Sequence, residues 1–290
     1  MTVRDLKPTC AVSKGILLAG AYAVTGQWES GKTLREFDFQ AARFAEQVQE
    51  SFTGQEHILE QLDAALSLSD DKPISREHFR SLGRPSLKPF PMLQAIEWVP
   101  EVPAAHRRVF EASQKASYPE FAIYQRNAAG ESESGSNRSV FYPVTYIEPL
   151  AGNEKAMGFD LGSHPARQAA VVEALRTGDS VASEPLVLVQ EEASQAGILL
   201  VRRIRSGALA PGVVLAVLRI DDLLQKFLAV EGVINVTLRD RRLGQLIYGE
   251  AQPRSAVAEV TRTLQFGGRQ YELRITPESR FLAARHGVGS

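Results

Sequence analysis

The chain has 290 residues, of which 44% are hydrophobic and 23% charged, and a formal net charge of −1. That balance describes a globular chain with apolar residues enough for one large core or two smaller ones. Near-neutral charge excludes a global attraction to nucleic acid or to an anionic membrane, and the single cysteine, Cys10, excludes an intrachain disulfide and a metal-binding cysteine cluster.

The first apolar run, Gly15 to Val24, falls short of the roughly 20 residues that a spanning helix needs. Two readings stand for it. It is the end of a span or an interfacial segment of a longer protein, flanked by Lys14 and Trp28, or it is a buried helix or an unstructured lead. Residues 1–32 are therefore taken as a membrane-proximal lead or partial span. From Thr33 to about Ser69 the apolar spacing is helical: Leu34, Phe37, Ala41, Phe44 and Val48 recur at alternating three and four, and Ile58 and Leu62 rejoin the series. A long stalk helix over residues 33–70 is predicted, closed by Asp70-Asp71-Lys72-Pro73 and suited to a spine or a dimer seam.

A short helix follows over Ser75 to Leu82, with Ser75 and His78 in the positions of a capping box. The prolines of Arg84-Pro85 and Lys88-Pro89-Phe90-Pro91 predict an irregular passage. Gln94 to Val99 reads as a strand, Ala104 to Ala116 as a helix with Val109 and Phe110 facing a core, and Phe121 to Gln125 as a strand. Asn127 to Arg138 reads as a solvated hairpin tip. The stretch Ser139 to Gly178 organises the middle of the chain. Its residues 140–147 make a strand with bulky side chains on both faces, ended by Pro149. Ser163 is the expected N-cap of the next helix, Pro165 sits in its first turn, and Gly178 ends it. Strands are predicted at Pro185 to Val189, Ile198 to Ile204 and Val213 to Ile220, then a helix over Asp222 to Val230. Four more strands close the chain: Ile234 to Arg239, Gln245 to Tyr248, Val257 to Gln265 and Gln270 to Ile275, the last two joined by the tight turn Gly267-Gly268. The fold class is α+β: a long N-terminal stalk helix followed by two tandem PAS-like antiparallel-sheet units.

Little in the sequence points to chemistry. Phosphate-binding glycine loops, a GxSxG elbow and an HExxH pair are absent. All the histidines except His164 lie in polar helical contexts or at the chain end; His164 follows Asp160 by four residues, and no second ligand stands at metal-binding spacing. Glu97, Glu148 and Asp160 sit in or beside apolar strands, where structural pairing with Arg167 or Arg107 is the stronger reading. Arg202-Arg203-Ile204-Arg205 has the alternation of an edge strand. No catalytic residue, metal site or cofactor is assigned, and the chain reads as a binding or transmitting module rather than an enzyme.

Across Phe79 to Ile220 the order of motifs resembles the CHASE domain, the extracytoplasmic sensor of bacterial receptors and of plant cytokinin-receptor kinases. The resemblance rests on Glu97-Trp98-Val99-Pro100, Arg107 and Arg108, Tyr142-Pro143-Val144, Glu148-Pro149, Gly158-Phe159-Asp160, Arg167, Thr177-Gly178 and Val189-Gln190. It implies a membrane-distal PAS-like ligand-binding unit over 71–206 and a membrane-proximal one over 207–286. It further implies a small-molecule ligand, a homodimer through the N-terminal helix, and an inner-membrane parent anchored by flanking spans. That parent would place this domain in the periplasm and carry a cytoplasmic histidine kinase or a cyclic-di-GMP diguanylate cyclase or phosphodiesterase. On the same resemblance, Ser139, Phe141, Thr177 and Ser183 are the expected ligand-binding positions, with Trp98, Pro143, Glu148, Asp160 and Arg167 as structural motif residues. Ser139 stands where plant receptors place the acid that binds adenine, so cytokinin fits this chain poorly. Arg202 and Arg203 would put positive charge near the pocket rim or solubilise an edge. The alternative reading is a structural, dimerising periplasmic module that senses a protein partner and has no soluble ligand.

Overall fold

Phe37, Ala41, Phe44, Val48, Phe52, Leu59, Leu62 and Leu66 recur at helical spacing, and all are buried on one side of α1 (Val12–Ser67). The computed structural model describes residues 12–67, 74–135, 138–188, 196–204, 211–231, 234–250 and 258–278, excepting the side chains of 12–31 and of 230–231. At 56 residues, α1 reaches about 80 Å. It runs through residues 12–32 without a break, so the boundary expected at 32/33 is not one in the helix. No helix among the described residues is long and apolar enough to cross a membrane. Closure of the stalk at Asp70 to Pro73 lies outside the described residues, as do Val189-Gln190 and Arg205.

The chain continues through α2 (Arg76–Leu87), β1 (Leu93–Pro100), β2 (Val102–Pro103), α3 (Arg107–Lys115), β3 (Tyr124–Arg126) and β4 (Ser132–Ser134). It then forms β5 (Val140–Phe141), β6 (Tyr146–Glu148), α4 (Pro165–Thr177), β7 (Val181–Ala182), β8 (Leu186–Val187), β9 (Ala196–Arg203) and β10 (Gly212–Arg219). Last come α5 (Ile220–Glu231), β11 (Ile234–Asp240), β12 (Leu246–Tyr248), β13 (Val260–Phe266) and β14 (Arg269–Pro277).

The first sheet has the order β6-β1-β10-β9-β7, with β8 also on β9, and its strands pair antiparallel, Trp98 opposite Val214 and Leu215 opposite Val201. Strand alternation sorts its side chains to two sides. Ile96, Trp98, Ile198, Leu200, Val214 and Ala216 pack in the core that contains α1. Ala95, Val99, Leu199, Val201, Val213 and Leu215 pack in a second core with Ala170, Val171 and Ala174 of α4. The second sheet, β12-β11-β14-β13, shares the core of α1 through Val236, Leu238, Leu264, Phe266, Leu273 and Ile275. Phe52 of α1 stacks on Phe266 with ring centroids 4.4 Å apart. One helix thus carries both sheets in a continuous apolar core. Gly267 (φ 53°) and Gly268 (φ 73°) both take positive φ at the β13–β14 turn, the requirement that makes Gly-Gly a hairpin signal.

Several local expectations hold. Ser75 Oγ accepts from His78 N at 3.1 Å and caps α2. Pro165 opens α4, and Gly178 closes it with φ 80°. Others are corrected. Helix α2 continues past Pro85 to Leu87, with Ser86 Oγ donating to the Leu82 carbonyl at 2.9 Å in the turn that Pro85 interrupts. The strand expected over 140–147 is two short strands, because Pro143 instead bridges to Asp160. The N-cap of α4 is His164, since Ser163 belongs to a 3-10 turn and donates to the Asp160 carbonyl. Val109 points to solvent, 73% exposed, whereas Phe110 packs edge-on against Phe121. Strand β10 belongs to the first sheet, so that unit does not end at 206. Finally, β9 is an inner strand, flanked by β10 and by β7 and β8, so the edge reading of its arginines fails.

Candidate functional site

Arg167 lies in the first turn of α4, four residues before Val171 and seven before Ala174, and that spacing puts all three on the buried face. The guanidinium is carried into the second core at 5% exposure. There its Nη2 donates to the Val187 carbonyl at 2.7 Å, and its carbon sits 5.2 Å from the centre of the Phe159 ring. Burial lowers its pKa to about 10, opposed by the charge of Glu97 and reinforced by that of Arg126. At neutral pH it remains a cation. Glu97, 2% exposed, reaches the same region from β1, because its neighbours Ile96 and Trp98 take the α1 side of the sheet.

Two cavities meet at this arginine. The inner one, about 10 Å³, is bounded by Glu97, Val144, Phe159, Arg167, Leu188 and Leu199 and is barely large enough for one water. The outer one is an open cleft of about 850 Å³, within the roughly 300–1,000 Å³ usual for small-molecule sites. Phe159, Arg167 and Leu188 line both. Around the cleft stand Arg126 and Asn127 at the β3–β4 hairpin, Ser163 and His164 at the start of α4, and Pro185 to Leu188 around β8. Partial desolvation, then the nearby Arg167 charge, lower the His164 pKa from the ordinary 6.5, which favours a neutral imidazole at physiological pH. The cleft therefore combines apolar walls with a desolvated guanidinium and an imidazole, a setting that suits a carboxylate.

The four expected ligand positions do not converge on it. Ser139 is exposed, and its carbonyl accepts from Ala104 N at 2.9 Å. Phe141 is buried beneath Arg107, whose guanidinium carbon lies 4.9 Å from the ring centre. Thr177 caps the end of α4, donating to the Glu173 carbonyl at 3.0 Å and accepting from Asp179 N at 3.1 Å. Ser183 is buried, its hydroxyl donating to the Glu184 carbonyl at 2.8 Å and accepting from Leu199 N at 3.0 Å.

The motif residues hold the frame. Trp98 packs on the α1 side and Pro143 bridges to Asp160. Asp160 Oδ1 accepts from Tyr142 N at 2.8 Å and Gly162 N at 3.0 Å, while burial raises the pKa of the carboxyl despite those bonds and Arg138. Glu148 meets Arg84 at 3.1 Å and Arg80 at 3.8 Å, tying β6 to α2. At Glu148 the expected partners Arg107 and Arg167 are thus replaced, whereas Asp160 meets Arg138 at 3.7 Å and also feels the charge of Arg107, and Glu97 is charge-coupled to Arg167. Glu148 and Asp160 line neither cavity. Arg202, expected at the pocket rim or on an edge, instead reaches Asp63 at 3.4 Å and Glu60 at 3.6 Å on α1. Among the described residues no group of three or more acidic, histidine or cysteine side chains is placed to hold a metal ion.

Comparison with solved structures places this build in a class. An extracellular ligand-binding receptor from Desulfohalobium retbaense DSM5692 superposes with a TM-score of 0.55 at 11% identity, over 83% of this chain and 40% of that one. The ligand-binding domain of the amino-acid chemoreceptor PctC of Pseudomonas aeruginosa PAO1, solved in complex with GABA, superposes with a TM-score of 0.50 at 13% identity, over 81% of this chain and 96% of that one. The fold is that of extracellular ligand-binding domains of receptors, and this chain spans about 40% of the length of the first of them. The chain belongs to the CHASE domain family, which it matches over residues 72–252. A comparison with curated proteins gives no match.

Proposed function

We propose that this CHASE domain is the extracytoplasmic sensor of a bacterial transmembrane receptor and that it binds a small carboxylate-bearing molecule in the cleft beside Arg167. The observation that carries this reading is the position of Arg167: a desolvated cation at the junction of a small inner cavity and an open cleft of about 850 Å³. A guanidinium in such a place binds carboxylate strongly, because water competes weakly there. The amino-acid chemoreceptor of the same fold, with GABA bound, supports the ligand class. Glu97, coupled to the same guanidinium, would receive an ammonium if the inner cavity opened.

Signalling would pass along α1, which packs on both sheets, to a cytoplasmic histidine kinase or cyclic-di-GMP module of the parent. One large apolar side chain on the outer face of α1, Phe39 at 65% exposure, supports a homodimer along that face. Thermal melting of the purified chain against amino acids, dicarboxylates, nucleobases and neutral sugars tests the ligand class. Carboxylates should raise the melting temperature, with about 2.7 kcal/mol of stabilisation at a hundred times Kd. Stabilisation by nucleobases or sugars alone contradicts the carboxylate assignment. No shift from any compound favours a module that senses a protein partner.

A further inference from the structure

The cleft beside Arg167 is not walled by the first sheet unit alone. Gln245, Leu246 and Ile247, at and beside β12 of the second unit, line it together with Arg126, His164, Arg167 and Leu186. The turn that presents Gln245 is fixed from beneath by Asp240, which is fully buried. Asp240 Oδ1 accepts from Arg242 N and Leu243 N, each at 2.9 Å, and its Oδ2 accepts from Arg269 Nε at 2.9 Å and Nη2 at 2.5 Å. Its own N–H donates to the Gln245 carbonyl at 2.9 Å. The Gln245 side chain is exposed, and its amide has no hydrogen-bond partner among the described residues. A rigid turn therefore holds a spare amide, donor and acceptor together, at a cleft whose cation comes from the other unit.

A main-chain tie lies just before the cleft wall. The Ala182 N–H donates to the Gly267 carbonyl at 2.8 Å, joining β7 to the β13–β14 hairpin, and the chain leaves β7 directly for Pro185 to Leu188. The two walls cannot slide apart freely while this bond holds.

We infer that the second unit completes the binding site, with Gln245 as a specificity-determining residue that reads the end of the ligand remote from Arg167. The inference rests on the proposed Arg167 cleft and adds to it a second, polar contact and a composite origin. The ligand class becomes a short molecule with a carboxylate at one end and a hydrogen-bonding group at the other. A ligand spanning both walls would report the spacing of the two units.

GABA and succinate are suitable probes, since both are four-carbon carboxylates that differ only at the far end. Their affinities are measured by calorimetry on wild type, Gln245→Leu, Gln245→Glu, Leu243→Glu and Arg167→Ala. Gln245→Leu should weaken both probes. Gln245→Glu should raise the preference for GABA over succinate about tenfold, the worth of a charged hydrogen bond gained or lost. Leu243→Glu puts the same charge on the same turn but outside the cleft lining and should leave the ratio unchanged. A ratio unmoved by Gln245→Glu, or moved equally by Leu243→Glu, overturns the role of Gln245. If Arg167→Ala still abolishes binding in that case, the Arg167 reading survives alone. Failure of both probes to bind wild type overturns the inference together with the carboxylate class.

Discussion

A guanidinium only 11% exposed on an inner strand needs opposite charge near it, and Arg202 finds Asp63 and Glu60 on α1. Ser180 adds an acceptor at 3.3 Å. Asp63 is itself nearly inaccessible, so removal of the arginine would leave a buried carboxylate without this neutralising charge, although Ser67 Oγ still donates to it at 3.2 Å. Arg202→Ala should lower stability by about 3 kcal/mol, and the paired change Arg202→Met with Asp63→Leu should restore most of it. Urea unfolding of the three proteins measures both effects. Equal loss in the single and double variants would mean that packing, not charge pairing, holds β9 to α1. This arginine also marks where sequence reading runs out at this scale. Alternation of charge and apolar residues fits an edge strand and a buried ion pair equally well, and only the partner helix, some 140 residues earlier, decides between them. Arg167 was legible as a motif residue because it falls in family order. Gln245 was not, because no local pattern marks an exposed glutamine that another unit's cleft will meet.

At the scale of elements, the β13–β14 hairpin is the joint between the units. Gly267 N donates to Glu56 Oε1 of α1 at 2.6 Å, and its carbonyl receives the Ala182 N–H from β7. Gln49 of α1 adds a reciprocal pair with Gln265, at 3.0 Å and 2.8 Å. A side chain at Gly267 would place its Cβ 2.7 Å from that of Ala182 and into the backbone behind it, whereas one at Gly268 meets open space. Both glycines have positive φ, so the two share the backbone cost and differ in the clash. Gly268→Ala should cost about 1 kcal/mol. Gly267→Ala should cost clearly more and also weaken the protection of the Ala182 amide from hydrogen exchange. Equal costs with unchanged protection would show that the joint is not a close contact. Punctuation of this kind is what the sequence displays best: Ser75, Pro165, Gly178 and Gly267-Gly268 each act within a few residues of their own position, and each fell where expected. The misread elements depended on distant partners. Pro143 breaks the 140–147 run because Asp160 organises the backbone around it, and α2 outlasts Pro85 within a helix packed on α1 and β6.

For the whole molecule, α1 is the shared surface: one apolar stripe packs against the first sheet, the second sheet and α5. The face of the first sheet away from α1 holds the separate core that contains Arg167. A ligand in the cleft would therefore act on one side of the first sheet while α1 reads the other. Such a ligand can shift the arrangement only by binding one state better than the other. Calorimetric titration of wild type, Arg167→Lys and Arg167→Ala with the most strongly stabilising carboxylate tests carboxylate binding at the Arg167 cleft directly. The expected result is saturable binding to wild type, about tenfold weaker binding to Arg167→Lys through loss of the guanidinium fork, and none detectable to a folded Arg167→Ala. Wild-type affinity retained in a folded Arg167→Ala would contradict it.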